Sequence, residues 1–192
     1  MLLIKNGRVK TMAGPDIENG QVLIDGRKIA AVGTNLEVPA GTEVIDAAGA
    51  LVTPGLIDGH CHIGMHEEVI GRNGDDVNED VNPLTPQLRA IDAINPRDEA
   101  FAEAYSHGIT CAVTGPGSAN VIGGTFVAMK TCGIRMDKMI VKSPVAMKVA
   151  FGENPKRVYG GEKKSPCTRM ATAAILRDAL HRAREYNDAW TA

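Results

Sequence analysis

The sequence predicts an α/β protein in two parts, and three observations carry that reading. Residues 1–55 break into short β-branched runs, "LLIKNGRVKTM", "GQVLIDGRKIAAVG" and "TEVIDAAGALVTPG". Asn-Gly and Asp-Gly dipeptides punctuate them, as in hairpins with tight turns. From Leu56 the texture becomes an apolar strand, a polar stretch, a helix and another strand, the β-α-β order of a parallel sheet. Finally, the apolar run that opens this second part ends in "DGHCHIG", with two histidines one residue apart. A small antiparallel β domain over residues 1–55 is therefore expected, followed by a β/α domain over residues 56–192.

The elements of the second part follow in order. "LIDGHCHI", residues 56–63, is a strand. Residues 64–87 form a long acidic connection rich in Asn and Gly, the kind of loop that carries function. "NPRDEAFAEAYSHG", residues 95–108, has an Asn cap, acids in its first turn and a closing His-Gly, which predicts a helix. "ITCAVTG" is the next strand, and further strands are expected at residues 124–131, 138–142 and 144–151. The closing "SPCTRMATAAILRDALHRAREYNDAW" predicts a helix capped by Ser165, with Pro166 in its first turn and a stripe of Ala173, Leu176, Leu180 and Ala183.

Composition excludes several classes of function. The chain of 192 residues is 44% hydrophobic and 23% charged, with a net charge of -2 and both signs interspersed. It has no basic stripe for nucleic acid and no polybasic membrane patch. Charge appears after four residues and no window approaches ~18 uncharged apolar residues, so a cytoplasmic protein is expected. Cysteines 61, 111, 132 and 167 lack CxxC spacing and suit reduced thiols. The glycines of "TGPGSANVIGGT" lack a dinucleotide fingerprint and read as turns.

In a strand, alternation turns His60 and His62 to one face, their Cα atoms about 6.6 Å apart. Two imidazoles so placed can converge on one ion at about 2.1 Å. Cys61 points the other way, while Asp58 shares their parity and can orient a histidine from behind. His66 and Glu67, at the start of the long loop, are candidate substrate contacts. His107 reads as a helix C-terminal residue facing the dipole, and His181 as a surface helical residue.

The stretch "LVTPGLIDGHCHIG" resembles the first barrel strand of the amidohydrolase superfamily, and the hairpin-rich segment before it resembles that superfamily's small N-terminal sheet domain. The resemblance runs along the whole chain and leans towards imidazolonepropionase-like and prolidase-like members. It implies a (β/α)8 barrel whose mouth holds one or two divalent ions, zinc first and manganese or iron as alternatives. The reaction implied is attack of a metal-activated water on a C–N bond of a small amide or cyclic amide.

Such proteins also place a carboxylated lysine or a glutamate on a middle strand, and "PVAMKVAFGENPK" offers both. Alternation sets Val145, Met147, Val149 and Phe151 towards a helix layer and Lys148 among small residues on the inner face. Lys148, as a carbamate, and Glu153 are alternative further ligands; Lys130 is a third candidate. A barrel takes about 250 residues, so residues 56–192 are expected to supply about the first four β/α units. The remaining ligands and the general base are expected beyond residue 192. The chain alone is then expected to be inactive, and to assemble with a second copy or with the missing C-terminal half. The competing expectation is a half barrel whose function is that assembly.

Overall fold

The computed structural model describes residues 1–191, which fall into two compact units, Met1–Gly55 and Leu56–Ala192. Together they make a mixed α/β protein with two sheets. No helix among the described residues is long and apolar enough to cross a membrane.

The first unit is one sheet of five strands: β1 (Leu2–Val9), β2 (Ile17–Asp25), β3 (Lys28–Gly33), β4 (Glu43–Asp46) and β5 (Leu51–Val52). Its order is β3-β2-β1-β4, with β5 also on β1. The expected all-antiparallel sheet is corrected here. β1, β2 and β3 are antiparallel neighbours, but β4 and β5 return on the far side of β1 and run parallel to it. Of the turn dipeptides only Asp25-Gly26 turns the chain, closing β2 onto β3 where Asp25 pairs with Lys28. Asn6-Gly7 and Asn19-Gly20 lie inside strands, at a break in register where Gly7 pairs with Gly20. A Cβ on Gly7 would meet Val52 Cγ2 at 2.6 Å, and one on Gly20 would meet Val9 Cγ2 at 2.6 Å. These glycines answer to packing rather than to a hairpin.

The second unit is a four-stranded sheet of order β6-β7-β8-β9, built from β6 (Leu56–Cys61), β7 (Ile109–Thr114), β8 (Ile122–Lys130) and β9 (Ile140–Val149). β6 and β7 are parallel, joined by the long loop and α1 (Glu99–Ser106), as the β-α-β pattern predicts. The expected run of four β/α units stops there. β8 is antiparallel to both β7 and β9, because only residues 115–121, without a helix, separate β7 from β8. A parallel crossover needs a dozen residues or more. β9 then runs in the same direction as β6 and β7.

Other boundaries shift for local reasons. Asp98, not Asn95, caps α1, its Oδ1 accepting the Ala100 N–H at 3.3 Å, while Asn95 caps the preceding turn through Arg97 N–H at 3.0 Å. The two strands expected at 138–142 and 144–151 are one, β9, and Lys138 lies in the short helix α2 (Met136–Met139). Residues after β9 form an unforeseen helix, α3 (Glu153–Gly161). The last helix, α4 (Arg169–Thr191), starts at a cap from Thr168, whose Oγ1 accepts the Ala171 N–H at 3.1 Å. Its expected stripe is half-buried at Ala173 and Leu176 and exposed at Leu180 and Ala183.

The core packs on one face of β8. Val127 and Met129 meet Phe101 of α1, Met139 of α2, and Met65, Val77, Ala90 and Ile94 from the long loop and its continuation. The loop is thus part of the fold. It is tied to β8 by Thr85 N–H to Ile122 O at 2.8 Å and Thr125 N–H to Leu88 O at 2.9 Å. The opposite expectation for β9 is also corrected: Met147, Val149 and Phe151 are exposed, with no helix covering them among the described residues.

Candidate functional site

β6 ends at Cys61, so His60 is the last but one residue of the strand and His62 lies just past it. The pair still converges. The two rings sit edge to face with centroids 5.3 Å apart. Asp58 fixes the strand end through main chain rather than through an imidazole, its Oδ1 accepting the His60 N–H at 3.1 Å. Cys61 faces away, with Sγ 3.7 Å from the Val113 carbonyl, and burial raises its thiol pKa.

His62 Nδ1 lies 2.7 Å from the Gly115 carbonyl oxygen. A carbonyl only accepts, so Nδ1 carries the proton and Nε2 keeps a free lone pair, the arrangement that prepares an imidazole for a metal ion. His60 Nε2 lies 3.3 Å from Lys148 Nζ. β9 delivers this amine as alternation predicts, with Lys148 half-buried between exposed neighbours. Desolvation lowers the His60 pKa first, then the Lys148 charge and then His62; Asp58 opposes them. Desolvation also lowers the Lys148 pKa.

An aromatic floor joins these groups. The Phe126 ring of β8 lies 5.5 Å from the His60 ring and 5.8 Å from Lys148 Nζ. Gly115 packs against the same ring so closely that a Cβ there would meet Phe126 Cγ at 2.3 Å. The His60, Phe126 and Lys148 side chains line a cavity of about 230 Å³. Neither Gly115 nor Phe126 stands out in the sequence. Gly115 reads there as a turn glycine, and Phe126 as one apolar residue of a strand.

The other candidates lie elsewhere. Glu153, in the first turn of α3, is exposed and paired with Lys156 at 2.9 Å, and is not among the residues lining this cavity. Lys130 is the exposed end of β8, paired in register with Cys111. His66 bonds to Asp75 at 3.3 Å, and Glu67 accepts from Asn95 Nδ2 at 2.6 Å, so both brace the loop. His107 closes α1, its Nδ1 2.9 Å from the Glu103 carbonyl, and His181 is exposed on α4. Among the described residues no three His, Cys, Asp or Glu side chains converge as a metal site. The cluster at the strand ends is instead two imidazoles and an amine. Such nitrogen donors suit a divalent transition ion or zinc once the amine is neutral or carries an acid group.

No family model matches the chain. Individual proteins do. Amidohydrolase tasK of Hapsidospora irregularis is 36% identical over 179 residues, 85% of this chain and 18% of its own length. A dihydroorotase of Syntrophotalea carbinolica is 52% identical over 62 residues, 32% of this chain and 14% of its own. The crystal structure of an amidohydrolase from Thermotoga maritima MSB8 superposes on the whole chain with a TM-score of 0.92 and 39% identity, over 49% of that protein. The chain belongs to the amidohydrolase superfamily. It spans less than half the length of these relatives.

Proposed function

We propose that the chain contributes the first metal-binding strands of a metal-dependent hydrolase that cleaves C–N bonds of small amides or cyclic amides. One observation carries this reading: His62 is held with Nε2 free while His60 Nε2 meets Lys148 Nζ at 3.3 Å, three nitrogen donors brought together from the C-terminal ends of β6 and β9. In this reading β6, β7 and β9, which share a direction, are strands of a partial (β/α)8 barrel, with β8 inserted between them. His60 and His62 hold a divalent ion, most simply zinc, with manganese or iron as alternatives. Lys148, whose pKa desolvation lowers, would add carbon dioxide through its neutral amine and release one proton to solvent, becoming a carbamate ligand. An ion held there would supply Lewis acidity, to activate a water and polarise the substrate carbonyl.

The chain's own residues have simpler tasks. Gly115 fixes the tautomer of His62, Asp58 fixes the backbone at His60, and Phe126 packs against the His60 ring. Two histidines and one lysine leave the ligand set and the general base incomplete, so the isolated chain is expected to hydrolyse nothing.

The test is elemental analysis of the chain after incubation with zinc and bicarbonate. His60→Ala/His62→Ala is expected to lose the bound metal. Equal stoichiometry in wild type and variant overturns the reading. A second reading, a non-catalytic half barrel that works by assembly, is favoured by the exposed apolar residues of β6 and β9, where Ile57 and Met147 are 68% and 44% exposed. It predicts a stable oligomer, of one chain or with a C-terminal half, without metal uptake.

A further inference from the structure

A second, larger cavity of about 320 Å³ is formed by the long loop, its continuation, Pro116 and Gly123. Met65, Val77 and Leu88 give it apolar walls. Two of its residues lead directly to the cluster. Pro116 follows Gly115, whose carbonyl holds His62. Gly123 lies against Lys148, where a Cβ would meet the Lys148 Cγ at 3.4 Å.

Its charges are unbalanced. Asp76, Glu79, Asp92 and Arg89 line it, but Arg89 is committed to Asp92 by two hydrogen bonds of 2.8 and 2.7 Å. Asp76 and Glu79 have no ion pair among the described residues, so the cavity keeps two uncompensated carboxylates. Nor are they on a loose strand of loop. Asp76 N–H bonds to the Met65 carbonyl at 2.8 Å, and the Gly117 N–H bonds to the Val77 carbonyl at 2.9 Å. Beneath Glu79, the buried Asn120 donates from Nδ2 to the Glu79 carbonyl at 2.6 Å and to Thr85 Oγ1 at 2.7 Å. Asn120 in turn accepts from the Tyr159 hydroxyl. The backbone that bears the two exposed carboxylates is thus held in place.

We propose that this cavity is the subsite for one arm of the substrate, and that it selects an alkyl chain ending in a cation, an ammonium or guanidinium, with Asp76 and Glu79 as the specificity-determining residues. The assignment rests on the amidohydrolase reading for the position of the scissile bond, though not for the recognition itself. Apolar walls take up the methylenes and the free carboxylates meet the charge. Arg89 cannot serve an anionic arm, because Asp92 already neutralises it.

The test is titration calorimetry of the 192-residue chain at low ionic strength. Its probes are N-acetyl-L-lysinamide and N-acetyl-L-norleucinamide, which differ by the terminal ammonium. Lysinamide is expected to bind about tenfold more tightly, the scale of two exposed charge pairs, with the preference shrinking as salt shortens the screening length. Asp76→Asn/Glu79→Gln is expected to abolish the preference. Glu185→Gln/Asp188→Asn, which removes the same charge from α4, is expected to retain it. Equal binding of the two probes, or an unchanged preference in Asp76→Asn/Glu79→Gln, overturns the proposal. Zinc uptake by the wild-type chain separates it from the reading beneath it: a lysinamide preference in a wild-type chain that takes up no zinc supports the subsite and overturns the metal reading. Zinc uptake with equal probe binding overturns the subsite alone.

Discussion

At the scale of single residues, two basic nitrogens face each other: His60 Nε2 and Lys148 Nζ, 3.3 Å apart. The lysine charge disfavours imidazolium, so Lys148→Gln is expected to raise the His60 titration midpoint towards the usual ~6.5. Ring-labelled histidine NMR reads it, and an unmoved midpoint would show that the two groups are not neighbours. The sign for stability follows from the same shift. His60 is depressed in the folded state, so its contribution is present above the unfolded-state pKa and is lost as pH falls towards the folded-state value. These residues are legible in sequence because strand alternation is local: it sets His60 with His62, and isolates Lys148 among small neighbours. Gly115 and Phe126 are not legible. Each matters through a contact distant in sequence, the Phe126 ring against His60 more than sixty residues away and the Gly115 carbonyl against His62 53 residues away.

Among the elements, the legible features are those decided within about fifteen residues. α1 follows its acidic first turn, and β6 and β7 follow their apolar runs. What escapes is orientation, since the direction of β8 depends on a short connection rather than on its own residues. The structural part of the long loop escapes as well: it reads as an acidic, function-carrying connection, yet Met65 and Val77 enter the core. Its anchor is the buried trio of Asn120, Thr85 and Tyr159, with Asn120 only 3% exposed. Burial beside Asp80 and Glu79 pushes the Tyr159 pKa up to about 12, so the phenol stays a donor. Asn120→Ala removes three hydrogen bonds at once and strands the Tyr159 hydroxyl. It is expected to lower stability by about 2–3 kcal/mol, against about 1 kcal/mol for Tyr159→Phe. Urea unfolding of the two variants checks both, and near-equal losses would show that water replaces Asn120 in the trio.

At the scale of the whole molecule, the second sheet is open. Among the described residues β6 and β9 each pair on one side only. Leu56, Ile57, Val141, Met147, Val149 and Phe151 are exposed on these two strands or just beyond. Edge strands with unpaired N–H and C=O groups are templates for pairing, and soluble monomers rarely expose apolar patches beyond a few hundred Å². Both features act together, because a partner strand laid along β9 satisfies its backbone and covers Met147 and Phe151 in one step. The chain is therefore expected to associate at micromolar concentration, with a light-scattering mass at least twice that of the 20.3 kDa monomer. Met147→Lys/Phe151→Glu, which places charge on the β9 face and leaves His60, His62 and Lys148 untouched, is expected to shift the equilibrium towards monomer at least tenfold. A wild-type chain that stays monomeric to high micromolar concentration would show that the open edge and the apolar face are tolerated singly.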